Sequence, residues 1–305
     1  MALDISGRQM TVHLGVQKTA STAFHHLLNR NADRLTNRLV VRTPAPQTPT
    51  RAVARAAIAY SLDPSNDNRS TFADRITDLR DELLSTGDTP ILVSHENLCG
   101  AMPGNGGEVE LFPRIRQILG MLQTHLAPFK PRFAFYTRDM GAWKKSVHNQ
   151  AIKTDGYART WEEFQAETAN CRSWDDMRAD AEAEIGAENV AFFALEDEPE
   201  LMRPGQQLLA YAGLTQSEIA ALEPLTRKPN ESLNPGALEF MRQINRVGMA
   251  PNPRMKVMQL VVKNQALFAP APADAVNDDI AAAGVWQDKT RPEWSSETRG
   301  IEPER

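Results

Sequence analysis

Three stretches of this chain combine residue types that bind anions or move protons, and each follows a strand-like run. The first is Gly15-Val16-Gln17-Lys18-Thr19-Ala20-Ser21-Thr22. Its small and hydroxylated residues leave backbone amides open to an anion. A helix starting here adds unpaired N–H groups and the positive end of its dipole. Lys18 brings a full charge, and Ser21 and Thr22 bring hydroxyls. Gln17, Thr19 and Ala20 supply the rest of the main chain, so the segment predicts a phosphate cradle. The second stretch pairs Arg138, at the end of RFAFYT, with Ser146 eight residues later. A guanidinium presents a planar fork of donors to phosphate, and a hydroxyl two helical turns on can close the other side. The third is Ser94-His95-Glu96-Asn97, which ends the run ILVS. A carboxylate or imidazole here can take the proton that an alcohol must lose to become a nucleophile. Side chains alternate along a strand, so His95 and Glu96 face different pockets if the strand continues through them.

The elements that must position these groups are legible in the apolar pattern. Strand-like runs occupy residues 11–16, 39–41, 91–94, 132–137 and 190–195. Phe24, Leu27, Leu28 and Leu35 recur at helical spacing, with His25, Asn29 and Arg30 on the other side. His25 and His26 are adjacent, which is not a chelating spacing; they read as surface residues, or as one surface residue and one that looks into the first loop. Asp139 can cap a helix that puts Trp143, Val147 and Ala151 on one side. Further helices are expected near residues 51–61, 71–84, 108–126, 161–170, 175–185 and 201–212. Residues 43–50, rich in Pro and Thr, and residues 100–107, with Gly and Pro, read as loops. Strands alternating with helices predict an α/β fold, a three-layer sandwich with a central, mostly parallel sheet of about five strands. Ligands in such folds bind beyond the carboxyl ends of the strands. Val16, Ser94 and Thr137 all stand at those ends. The expected organisation is a single α/β domain over residues 1–286 and a polar tail over 287–305.

Composition excludes several classes. The 305 residues are 41% apolar and 24% charged, an ordinary balance for a globular protein with a full core. A formal net charge of −5 argues against a nucleic-acid partner, so any bound anion must be held by a local cluster. Cys99 and Cys171 make neither a disulfide framework nor a metal set. The opening residues lack a basic start followed by an apolar core, and no apolar run approaches membrane-spanning length. These features predict a cytoplasmic protein with no membrane partner and no resident metal. Oligomeric state is not legible.

The first loop resembles the 5′-phosphosulfate-binding loop of the sulfotransferases that use 3′-phosphoadenosine 5′-phosphosulfate (PAPS), usually written Pro-Lys-Ser/Thr-Gly-Thr/Ser-Thr. Lys18, Thr19, Ser21 and Thr22 match it in order, while Gln17 replaces Pro and Ala20 replaces Gly. The flanking His13-Leu14-Gly15 and Leu27-Leu28 are similar to the bacterial branch. Phe192-Phe193-Ala194-Leu195-Glu196-Asp197 and Arg227-Lys228-Pro229-Asn230-Glu231-Ser232-Leu233 resemble later parts of it. The likeness covers roughly residues 11–246, with most of the middle matched by pattern alone.

The resemblance implies a P-loop-like sulfotransferase fold and a transfer of a sulfuryl group from PAPS to a hydroxyl acceptor, a small molecule or a carbohydrate. It releases 3′-phosphoadenosine 5′-phosphate (PAP). Arg138 and Ser146 would hold the 3′-phosphate, helped by Arg227 or Lys228. Lys18 would stabilise the leaving phosphate. The branch often reads Ser-Ser-Glu where Ser94-His95-Glu96 stands, which puts Glu96 ahead of His95 as base and leaves His95 open. Two rivals remain: a non-catalytic nucleotide-binding protein on the same fold, and a P-loop kinase. Against the kinase, Ala20 and Ser21 stand where a Walker A loop needs Gly and Lys, and Lys18 comes three residues early.

Overall fold

A computed structural model describes residues 8–46, 48–227 and 232–269. Lys228, the predicted tail over 287–305 and the end of the predicted 1–286 domain lie outside the described residues. Met10–Leu14 (β1) leads through the loop of residues 15–20 into Ser21–Arg30 (α1) and the short Ala32–Leu35 (α2). Val40–Arg42 (β2), Thr50–Leu62 (α3), Asn66–Leu84 (α4) and Ile91–His95 (β3) follow. Next come Ile115–His125 (α5), Pro131–Thr137 (β4) and Met140–Gln150 (α6), which runs on into a π-helical turn, Ala151–Asp155. Trp161–Glu167 (α7), Trp174–Ile185 (α8) and Val190–Ala194 (β5) complete the sheet region. Gln206–Tyr211 (α9), Gln216–Ala220 (α10), Pro235–Arg246 (α11) and Pro251–Lys263 (α12) close the described chain.

The five strands form one all-parallel sheet in the order β2-β3-β1-β4-β5. Strand alternation sorts the side chains onto two helical layers. Met10, Val12, Leu14, Ile91, Val93, Phe133 and Phe135 share a buried cluster with residues of α3, α4, α5, α6 and α8. Leu92, Ala134 and Tyr136 point the other way and pack with Phe24 and Leu28 of α1, Leu208 and Leu209 of α9 and Ile219 of α10. Fully burying such a side chain contributes roughly 1.5–3 kcal/mol, so apolar alternation is what fixes the faces. A third cluster, Ile152, Leu233, Ala237, Met241 and Val261, ties α11 and α12 to the π-helical turn. Among the described residues no helix is long and apolar enough to cross a membrane.

The chain runs from β1 to β2 and back to β3 on one side, then crosses past β1 to β4 and on to β5 on the other. The connections after β1 and after β4 therefore run in opposite directions, and the crevice lies at the carboxyl end of β1 beside β4. β1 and β3 are in register, with His13 beside Ser94 and Leu14 beside His95. The ladder extends one step further, as Gly15 N–H donates to the His95 carbonyl at 3.1 Å.

Several boundaries differ from the sequence expectation. α5 begins at Ile115 rather than near 108, because Gly106, Gly107 and Phe112 all take left-handed φ values and Pro113 follows. α9 starts only at Gln206, since Pro204 and the left-handed Gly205 block an earlier start. α4 starts at Asn66, earlier than expected, with the Ser65 hydroxyl accepting from Asn68 N–H at 3.4 Å. The loop after Asn97 is packed at its start: Leu98, Cys99, Ala101 and Met102 are buried, and Ala101 N–H donates to Ser61 Oγ at 2.8 Å.

Candidate functional site

The loop between β1 and α1 is built around two left-handed residues, Lys18 at φ 69° and Ala20 at φ 66°. Alternating the sign of φ turns successive N–H groups toward one side, the arrangement of an anion-binding nest. The N–H groups of Lys18, Ala20, Ser21 and Thr22 make no hydrogen bond to protein among the described residues. Ser21 Oγ is buried and has no partner either. By contrast, Thr19 is committed to the loop itself: its hydroxyl donates to the Val16 carbonyl at 2.6 Å. Gln17 is a strut, donating from Nε2 to Asn97 Oδ1 at 3.1 Å and to the Gly100 carbonyl at 3.2 Å. Its own carbonyl accepts from Trp143 Nε1 at 2.8 Å, which docks α6 on the loop.

Positive charge gathers over this nest. Lys18 Nζ donates to Gln150 Oε1 at 3.3 Å. Its pKa is lowered by burial and then by the neighbouring cations Lys153 and Arg138. None of the ion pairs among the described residues uses Lys18, Arg138 or Lys153. Like charges that converge without a carboxylate are destabilising unless an anion joins them. Arg138 is set by the end of β4, where its carbonyl accepts from Trp174 Nε1 at 2.7 Å. Asp139 caps α6, as expected, through Ala142 N–H at 2.8 Å. Half-buried Ser146 lies one turn from Gln150 and so shares the α6 face that meets Lys18.

Glu96 adjoins the same loop. A Cβ added to Gly15 would lie 2.7 Å from Ser21 Oγ and 2.9 Å from Glu96 Cα, so only glycine lets helix start and carboxylate residue approach this closely. β3 ends at His95, and the chain turns there. The condition for separating His95 from Glu96 thus fails, and His95 Nδ1 lies 4.0 Å from Glu96 Oε2. Burial raises the Glu96 pKa, partly offset by its own backbone N–H and by Arg51. Glu96 Oε2 is buried without a hydrogen-bond partner, although the side chain as a whole is 32% exposed. Burial pushes the His95 pKa down to about 4, helped by Arg51. Its Nδ1 already accepts the Asn97 N–H at 3.1 Å. At neutral pH the better proton acceptor of the two is therefore Glu96.

The two adjacent histidines divide: His26 is exposed, and His25 is the one that turns inward. His25 lies under α1, with Nε2 2.9 Å from Ser94 Oγ and Nδ1 3.7 Å from Glu96 Oε2. The reason is the β1–β3 register, which sets the buried polar pair His13 and Ser94 beneath that side of the helix.

Of the residues singled out in the sequence, the fold gathers Gln17, Lys18, Thr19, Ala20, Ser21, Thr22, His95, Glu96 and Arg138 around the end of β1, with Ser146 on the facing helix. Arg227 is exposed and joins no ion pair among the described residues. Lys153 and Gln150 were missed, because neither belongs to a local pattern, and His13 and His25 were named without the buried contacts they make. A cleft of about 410 Å³ opens on a different side of α6, bounded by Lys145, His148, Asn149, Trp161 and Arg242. It shares no lining residue with the β1 edge. A scan against protein-family models matched none, and a search of curated proteins by sequence matched none.

Proposed function

We propose that this chain is a PAPS-dependent sulfotransferase with a P-loop-like fold, acting on a hydroxyl acceptor. The observation that carries the reading is a nest whose N–H groups and Ser21 Oγ have no partner among the described residues, with Lys18 in it, Arg138 and Lys153 near enough to lower the Lys18 pKa, and a carboxyl of raised pKa beside it. The residues present fit the substrate's anionic ends. The loop amides, Ser21 Oγ and Lys18 suit the 5′-phosphosulfate, and Arg138 with Ser146 suits the 3′-phosphate. Glu96 then takes the acceptor's hydroxyl proton. The acceptor oxygen forms a bond to sulfur, and the bond from sulfur to the phosphate oxygen breaks. The electron pair leaves with PAP, where Lys18 and the amides stabilise the charge, as positioned donors do in phosphoryl transfer.

Calorimetric titration tests this with PAP and with ATP, each with magnesium and with chelator. PAP should bind without metal and ATP weakly. Arg138→Ala should then weaken PAP by several-fold to about a hundredfold, the worth of a charge-assisted contact, yet barely touch adenosine 5′-phosphosulfate. Tight, magnesium-dependent ATP binding would overturn the reading. PAP binding with no turnover over a broad acceptor panel would favour the non-catalytic rival.

A further inference from the structure

Glu96 Oε2 is a buried acceptor with two imidazole nitrogens nearby, and only one of them can donate to it. His95 Nδ1, 4.0 Å away, accepts the Asn97 N–H and so carries no proton. His25 Nδ1, 3.7 Å away, has no other partner among the described residues. That separation is an ion-pair distance rather than a hydrogen bond, and such contacts often tighten only when substrates close a site.

The direction of the network follows from its far end. His13 Nδ1 lies 2.8 Å from Ser94 Oγ, and His13 Nε2 is buried with no partner. A proton on Nε2 would be a buried donor with no acceptor, in a ring that stands at right angles to those of Phe24 and Tyr136, and folded proteins avoid such orphaned N–H groups. The proton of His13 therefore sits on Nδ1 and goes to Ser94 Oγ. Ser94 has one hydroxyl hydrogen, and it is left to donate to His25 Nε2. His25, accepting at Nε2, must carry its own proton on Nδ1, on the side of Glu96.

We infer that His25 is a positioning residue for Glu96: its Nδ1–H holds the inner carboxylate oxygen, and His13 and Ser94 fix the tautomer that makes this possible. The role as base rests on the sulfotransferase reading; the tautomer and the contact do not. Holding one oxygen from behind fixes the carboxyl and leaves its other oxygen for the approaching hydroxyl. The rings stay neutral at physiological pH, because burial lowers His13 and His25 to about 3 each. The titratable and charged groups facing this assembly are His26 on α1, His95 on β3 and Arg51 on α3, besides the members themselves.

Nitrogen-15 NMR of the imidazoles in the full-length chain tests the inference with no ligand or acceptor. At pH 7, His25 and His13 should both show the neutral form with the proton on Nδ1. A His25 ring protonated on Nε2 would overturn it. Carbon-13 titration of the Glu96 carboxyl gives the second arm. His25→Phe removes the donor and should move its midpoint upward by about one pH unit. His25→Gln restores an N–H donor and should return most of the shift. An unmoved midpoint in His25→Phe would also overturn the inference. If that variant does not fold, the tautomer of the unaltered protein still decides. Failure of PAP to bind would sink the sulfotransferase reading while leaving these readouts untouched.

Discussion

α1 and α9 begin in the same way and are completed differently. Each starts after a left-handed residue, Ala20 at φ 66° and Gly205 at φ 86°, and neither cap residue supplies a side-chain hydrogen bond. At α9 the anion is internal. Glu198 Oε2 accepts from the N–H groups of Gly205 at 3.0 Å and Gln206 at 2.9 Å. Its Oε1 accepts from Gln207 N–H at 3.3 Å and from the Tyr136 hydroxyl. At α1 the corresponding N–H groups and Ser21 Oγ have no acceptor among the described residues. The carboxylate beside that loop, Glu96, turns its inner oxygen toward histidine. A helix start that carries its own carboxylate is structure. On the proposed reading, one that gathers cations and whose donors have no partner among the described residues takes an anion from outside.

Acid should expose the difference most strongly. The α1 side holds three buried rings with lowered pKa values, His13 and His25 at about 3 and His95 at about 4. No histidine belongs to the α9 cap formed by Tyr136, Glu198 and residues 205–207. An unfolded histidine takes up its proton below about 6.5, while these folded rings wait until about 3–4. The unfolded state therefore binds more protons in that window, and stability falls as pH drops from about 6.5. Glu96, raised by burial, acts in the opposite sense, since its folded form holds a proton that the unfolded form has lost. The net loss between pH 8 and pH 5 should be on the order of 5 kcal/mol. Urea unfolding across that range checks it, and His25→Gln should reduce the slope by about one proton. A flat profile would mean that the rings are protonated in the folded state.

The second prediction attacks the other helix start. Glu198→Ala leaves three backbone N–H groups and the Tyr136 hydroxyl unpaired in a buried place. Removing one member of a buried charged network costs about 3–5 kcal/mol. Glu96→Gln, at a carboxyl whose charge is penalised by burial, should leave stability unchanged within about 1 kcal/mol and instead lower the transfer rate by about 10²–10⁴. Urea midpoints and a turnover assay separate the two. Equal losses of stability in both variants would erase the distinction between a structural and a functional carboxylate.

What the sequence made legible, and what it hid, divides along the same line. The α/β class and the approximate extents of all five strands followed from apolar runs, because burial between two helical layers writes itself into consecutive residues. The loop after β1 drew notice because its residue types lie within eight positions. The sequence left open which of His25 and His26 turns inward, because a polar residue on the flank of an amphipathic helix looks the same whether it meets water or Ser94. Ser94 lies 69 positions away, and only strand register brings it there. Glu198 was passed over for the same reason, its partners being Tyr136 and the start of a helix that Pro204 and Gly205 delay. Lys153 entered through the π-helical turn, which shifts the facing of residues after Gln150 in a way no helical repeat predicts.

The smallest expected effect concerns the two caps themselves. A left-handed φ costs an ordinary L residue roughly 1–2 kcal/mol, and glycine nothing. At α9 the position is glycine, and it also has to be small: an added Cβ would fall 2.2 Å from a ring carbon of Phe24 on α1. At α1 the position is Ala20, so the loop holds its nest at the expense of backbone strain. Ala20→Gly should relieve that strain. Glycine's greater freedom in the unfolded chain returns about 0.5–1 kcal/mol of the gain. The net should be a stabilisation of about 0.5–1 kcal/mol, read as a higher urea midpoint with an unchanged slope. Because glycine also lets a phosphate approach the main chain more closely, PAP affinity should rise slightly or hold. A clear loss of stability in Ala20→Gly would mean that Ala20 does not sit in the left-handed region, and the likeness between the two helix starts would fail with it.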